Sequence, residues 1–329
     1  MNFFSIPIIP VALAIVISWA LFAILCSLIQ EGIAQVLADR GRFMKKYLLN
    51  QFQDFSVGVN WASMLYLHGT IDLLSRTSNK PTNDISPKLF AESLVEVVGN
   101  AHLVQMNIKE NQNDYKEPLL YNFKAATQLL DSSDVVTFFK HALNNAEITS
   151  TKAGVIDEGI VYQNLISNIE NWYTELTERF SLWYKKSVRR KLFFIGIIVG
   201  IILNVDTIQL FTVFNTDTAA RNTVINFYEK KGDALSAYAQ KLNLANPADT
   251  SQSFKELIKE GTAYKNSMDS LKNSAALPIG FKESVFKTNE SSFGFWLSKL
   301  LGILITGMAA SFGAPFWFDL LKKIYSKKT

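Results

Sequence analysis

One boundary constrains this chain more than any other feature. The segment Trp183-Tyr-Lys-Lys-Ser-Val-Arg-Arg-Lys191 runs directly into an apolar stretch over residues 192–203. Lys185, Lys186, Arg189, Arg190 and Lys191 place five cations in seven residues, and the next twelve carry no charge. Water suits the first block and hydrocarbon the second, so a membrane surface lies near Lys191. An excess of Lys and Arg marks such a surface as cytoplasmic. Two further apolar blocks, residues 6–29 and 293–321, are long enough to cross a hydrocarbon core of ~30 Å as helices rising ~1.5 Å per residue. Arg40, Arg42, Lys45 and Lys46 follow the first block, and Lys322, Lys323, Lys327 and Lys328 follow the last. With the N-terminus outside and the C-terminus inside, all three cation clusters fall on one side. No charged side chain precedes the first block, which fits an uncleaved anchor better than a signal peptide.

These boundaries predict an all-α integral membrane protein with three transmembrane helices, a cytoplasmic helical bundle and a small extracytoplasmic helical hairpin. Residues 1–30 form the first span, 31–191 the cytoplasmic helical domain and 192–214 the second span. Residues 215–292 form the extracytoplasmic domain, 293–321 the third span and 322–329 a basic cytoplasmic tail. Within the cytoplasmic domain, helices are expected over 57–76, from Ser86-Pro87 onward, over 119–130 and over 135–144. Ser86 supplies an N-cap there, and Pro87 suits the first helical position. A last helix from about 155 carries Tyr162, Leu165, Ile169, Trp172, Leu176, Phe180 and Trp183 at steps of three and four, one apolar stripe. That helix is expected to continue unbroken to Phe214. In the outer domain, helices are expected over 219–242 and 254–271, with a turn at Asn246-Pro247 and a loop over 275–292.

Composition narrows the function. Between Tyr47 and Glu178 there are 8 Lys/Arg against 16 Asp/Glu, so the cytoplasmic domain is acidic. The cations sit beside the spans, where anionic lipid headgroups and not nucleic acid are their partners. Cys26 is alone, which excludes an intrachain disulfide or a cysteine zinc site. His68, His102 and His141 fall on separate predicted helices without ligand spacing, so neither a metal nor a cofactor is expected. His68 and Asp72, four residues apart, suit a structural hydrogen bond. No phosphate loop or nucleophile–base–acid pattern stands out, and no enzymatic activity is expected.

The membrane segments carry the distinctive residues. Gly196 and Gly200 form a GxxxG, while Gly302, Thr306 and Ala310 repeat at four-residue spacing in the third span. Small faces let helix backbones approach in lipid, either between spans two and three of one chain or across a homo-oligomer. Asn204 and Asp206 are polar positions inside the second span, and Lys299 enters the third from the same side. An Asp206–Lys299 ion pair is therefore expected, because intramembrane charges are costly unless matched. Pro315 should kink the third span, and Trp317 with Phe316 and Phe318 fits an aromatic belt at the headgroups.

Met64-Leu-Tyr-Leu-His68, Asn204-Val-Asp-Thr207 and Gly313-Ala-Pro-Phe-Trp-Phe-Asp-Leu-Leu321 resemble the recurring blocks of a family of uncharacterised bacterial integral membrane proteins. The resemblance implies a bacterial inner-membrane location and carries no activity. The function expected is a membrane-anchored scaffold or coupling protein that links a cytoplasmic protein partner to the other side. The alternative is an oligomeric pore or transporter component using Asn204 and Asp206.

Overall fold

A computed structural model describes residues 8–75, 77, 79–105, 119–152, 155–242 and 293–326, and single positions between 259 and 271. The expected turn at Asn246-Pro247, the loop over 275–292, the last residues of the basic tail and most of the helix over 254–271 lie outside the described residues. The chain is mostly helical and divides into two compact units, Leu37–Trp183 and Met1–Val36 with Tyr184–Thr329.

The unit Leu37–Trp183 opens with α2 (Asp39–Gln51), which follows α1 (Ile8–Leu37) through Ala38 in the left-handed region at φ 47°. A Cβ on Gly41 would overlap the Pro81 carbonyl oxygen and lie 2.7 Å from that of Thr82, so α2 sits on the loop that carries these two residues. A two-residue hairpin, β1 (Gln53–Asp54) and β2 (Val59–Asn60), leads into α3 (Trp61–Leu67) and α4 (Gly69–Asp72). The single helix expected over 57–76 is thus broken. Asn60 caps α3 by accepting from Ser63 N at 2.9 Å, and His68 is extended at φ −65°, ψ 132°. Asp54 holds the hairpin: its buried carboxylate accepts from Ser56 N, Val57 N, Trp61 Nε1 and Ser133 Oγ.

Next come α5 (Pro87–Gln105), α6 (Leu119–Leu129), α7 (Asp134–Ser150), a second hairpin of β3 (Thr151–Lys152) and β4 (Val155–Ile156), and α8 (Glu158–Leu203). Leu89 N donates to Ser86 Oγ, the expected cap. Residues 155–156 are strand, not helix, and α8 starts three residues later than Val155 with Gly159 N and Ile160 N donating to Asp157 Oδ1. Of the expected stripe, Leu165, Ile169 and Phe180 are buried, and Tyr173 stacks on Phe90 at 3.9 Å. Trp172 meets Phe138 and Phe52 at 4.5 and 5.6 Å, while Trp183 is exposed yet lies edge-on to Tyr47. The true helical period slides the buried face off a strict 3–4 stripe.

In the other unit, α1 is buried on nearly every side. Val11, Leu13, Ala14, Ile17, Leu21, Ile24 and Cys26 all lie inside. A helix apolar around its whole circumference needs partners on all faces. Those partners include Trp317, whose ring lies 5.0 Å from that of Trp19, and Tyr264, which donates to Leu21 O at 2.5 Å. By contrast, Phe194, Ile198, Ile201 and Ile202 on α8 and Leu297, Leu300, Leu301 and Met308 on α11 (Phe293–Ser311) are exposed. Contiguous exposed apolar surface of this kind needs a cover, and lipid provides one.

Two helices, α1 and α11, are long and apolar enough to cross a membrane. A third crossing requires α8 and α9 (Thr207–Thr216) to act together, and they meet at a 57° bend. The unbroken helix expected through residues 192–214 therefore ends at Leu203. The third apolar block also splits. Its helix stops at Ser311, Gly313 turns at φ 80°, and α12 (Ala314–Ser326) starts afresh with Pro315 in its first turn. Pro315 thus opens a new helix and does not kink the old one, consistent with its missing N–H.

The helix α10 (Thr218–Lys241), capped by Asp217, was expected in a separate outer domain. It packs along α12 instead: Tyr228 lies 5.2 Å from Tyr325 and stacks on Phe318, and Gln240 donates to Asp319 Oδ1 at 3.0 Å.

Candidate functional site

The buried polar cluster at the α8–α9 break is the candidate site. Its backbone is written locally. Asn204 adopts φ 52°, Asn204 N donates to Ile201 O, and Val205 N donates to Gly200 O at 2.9 Å. This 5→2 and 6→1 pair is the Schellman ending, with Asn in the left-handed position that glycine usually fills. Two residues later Asp206 caps α9, accepting from Ile208 N at 2.8 Å and Gln209 N at 3.3 Å. One helix is closed and the next opened within three residues. Every terminal amide and carbonyl so satisfied is one that hydrocarbon could not solvate.

Side chains then close around the break. Lys299 Nζ lies 3.7 Å from Asp206 Oδ2 and 3.3 Å from Gln209 Oε1. The expected partners are together, and both side chains are almost wholly buried. Thr207 and Thr306 share a hydrogen bond of 2.9 Å, Trp19 Nε1 donates to Thr207 Oγ1, and Thr306 Oγ1 donates to Gly302 O. The cluster thus ties α1, α9 and α11 together. Gln209, Thr207 and Trp19 escaped the sequence reading. Asn204 and Asp206 form the joint between two helices and are not polar positions within one.

The small-residue positions explain how α11 comes so close. A Cβ on Gly302 would overlap Asp206 Oδ1 and lie 2.6 Å from its Cγ. A Cβ on Gly196 would lie 2.7 Å from that of Ala310, and one on Gly307 would lie 2.7 Å from Ile197 Cγ1. Gly200 has ordinary clearance, 3.6 Å to Ile303 Cγ2. Gly196 therefore faces Ala310, Gly302 faces Asp206 and Thr306 faces Thr207, all within one chain.

The expected interfacial residues divide. Lys185, Lys186, Arg189 and Arg190 are exposed, as are Lys322 and Lys323, and Lys191 is half-buried. Trp317 does not sit outward in a headgroup belt. It is buried, donates Nε1–H to Ala309 O at 2.8 Å and packs on Trp19. The turn at Gly313 swings its ring inward, and the buried indole finds the partner its N–H needs. Among the described residues no group of His, Cys, Asp or Glu forms a metal site. No protein-family model, curated protein or solved structure matches the chain.

Proposed function

We propose that the protein is a membrane-anchored scaffold or coupling protein, with Leu37–Trp183 as the docking unit for a cytoplasmic protein partner. One observation carries this reading: α8 is a single 46-residue helix that passes unbroken through Ser187–Lys191 and supplies residues to both compact units. A helix without a hinge transmits displacement, and its exposed cations meet anionic headgroups. The acidic balance of the docking unit favours a basic partner surface. The resemblance to bacterial integral membrane proteins supports an inner-membrane setting. The positive-inside pattern supports Lys185–Lys191 facing the cytoplasm.

The pore or transporter reading rests on Asn204 and Asp206, and the packing weighs against it. Asp206 is matched by Lys299, capped onto α9 and pressed against Gly302. A carboxylate held that way serves packing. Purified protein in liposomes tests both readings together. Coupling predicts no ion flux from the wild type, and chemical crosslinking in native membranes should capture a partner on the Leu37–Trp183 unit. An ion flux that Asp206→Asn abolishes would establish the pore.

A further inference from the structure

The unit Leu37–Trp183 contains a donor–acceptor chain that the coupling role does not use. Glu96 Oε2 on α5 lies 3.3 Å from His68 Nε2 between α3 and α4. The other ring nitrogen, Nδ1, lies 2.8 Å from Thr70 Oγ1, and Thr70 Oγ1 lies 2.9 Å from Ser93 Oγ. With a neutral imidazole the order is set: Nε2 donates to the Glu96 carboxylate, Nδ1 accepts from the Thr70 hydroxyl, and Thr70 accepts from Ser93. A base oriented by an acid and bonded to a hydroxyl is the arrangement that activates nucleophiles, recognised by roles and not by residue order.

Three surroundings favour chemistry at this hydroxyl. Its base is rigid: Leu65, Ile71 and Ser93 are all buried. Its flank is open, because a Cβ on Gly69 would meet nothing within 4 Å, and Thr70 itself is exposed. Finally, Leu67 and Leu73 beside it in sequence are 79% and 85% exposed. Large aliphatic side chains left this bare next to a polar group suit a ligand with an apolar chain and a polar head.

The geometry points to Thr70 as a nucleophile toward long-chain acyl esters, with His68 as its general base. Thr70 Oγ1 attacks the ester carbonyl carbon and passes its proton to His68 Nδ1. The C–O bond to the alcohol breaks, and the departing alkoxide takes that proton and leaves as the free alcohol. Water then attacks the acyl-threonine by the same route, releasing the carboxylic acid and restoring the hydroxyl. Glu96 and Ser93 are positioning residues. The site is independent of the coupling reading, and either can fail without the other.

The test uses the full chain in detergent micelles with an alkyl fluorophosphonate. Attack on this probe forms a P–O bond, expels fluoride and leaves an adduct that mass spectrometry maps. Labelling at Thr70 is expected, faster with a dodecyl than with an ethyl probe. Thr70→Val should abolish it and Thr70→Ser should retain it. His68→Gln should slow it about 100-fold or more, the range of general-base contributions. Glu96→Gln should slow it too, with Glu96→Asp recovering part of the rate at unchanged labelling stoichiometry. No labelling of the wild type, an adduct mapped elsewhere, or equal labelling of Thr70→Val would overturn the assignment.

Discussion

Gly302→Ala tests whether the helix break depends on close approach of α11. The new methyl would occupy the space of Asp206 Oδ1 and come within 2.6 Å of Cγ, so the carboxylate must move or the helices must part. If it moves, α9 loses its cap at Ile208 N and Gln209 N, a loss of about 1 kcal/mol. It also separates from Lys299, and breaking a buried pair costs about 3–5 kcal/mol because one charge is left without its partner. Parting the helices instead would open the Gly196–Ala310 contact, a repacking cost of about 1–3 kcal/mol. Moving the carboxylate costs about 4–6 kcal/mol in all and parting the helices about 1–3, so the cheaper parting sets the expected loss at about 1–3 kcal/mol. Gly200→Ala supplies the control. Its Cβ has 3.6 Å of clearance, and alanine gains up to about 1 kcal/mol of helix propensity, so that change should be neutral or slightly stabilising. Equilibrium unfolding in mixed micelles, read by tryptophan fluorescence, measures both. If Gly302→Ala destabilises no more than Gly200→Ala, the carboxylate is not packed against α11 and the account of the site is wrong.

The remaining predictions address other links. Asn204→Gly should be tolerated, whereas Asn204→Val should cost about 1–3 kcal/mol in the same unfolding assay, because a β-branched residue is strained at φ 52°. Burial alone would raise the pKa of Asp54, but hydrogen bonds from Ser133, Val57, Trp61 and Ser56 outweigh it and hold the carboxyl below its usual value. A lowered folded pKa stabilises above the unfolded value near ~4, and that stability drains as pH falls through the folded value. Asp54→Asn should therefore cost about 1–3 kcal/mol at neutral pH and flatten the acid limb of a pH–stability curve. Gly41→Val should lower the melting temperature of the Leu37–Trp183 unit, since its first carbon already overlaps the Pro81 carbonyl; an unchanged transition would place α2 elsewhere.

What the sequence disclosed and what it hid divide by range of interaction. The charge step at Lys191 and the small faces of Gly196, Gly302, Thr306 and Ala310 were readable, because each depends on its own few residues. The Asp206–Lys299 pair was readable too, since two ionisable groups at one depth in lipid have few alternatives. The helix break was written in plain sight as Asn204 followed by Asp206, a C-terminal and an N-terminal signal two residues apart. The unbroken apolarity of 192–214 argued for one span and masked it. Tertiary placement hid the rest. Trp317 belongs to an aromatic triplet that suits a headgroup belt, and only the Gly313 turn carries it inward. His68 was paired with Asp72 by helical spacing, but its extended backbone breaks that helix and delivers the ring to Glu96 on α5.

The contact between α10 and α12 bears most directly on how the chain meets the membrane. Tyr228 against Tyr325 at 5.2 Å and Gln240 against Asp319 at 3.0 Å leave no room for a bilayer of ~30 Å between the two helices. Lys322 and Lys323 are exposed on α12, and Glu229, Lys230 and Lys231 are exposed on α10. That contact predicts that both helices meet water on the same side. A single-cysteine set decides it, starting from Cys26→Ala, because Cys26 is buried and its replacement leaves no background thiol. Cysteines at Lys231 and at Lys322 should react with a membrane-impermeant maleimide from the same face of sealed vesicles. Lys186→Cys then reports whether that face is also the one bearing the Lys185–Lys191 cluster. Reaction of positions 231 and 322 from opposite faces would refute the α10–α12 packing and return the second apolar block to a complete crossing.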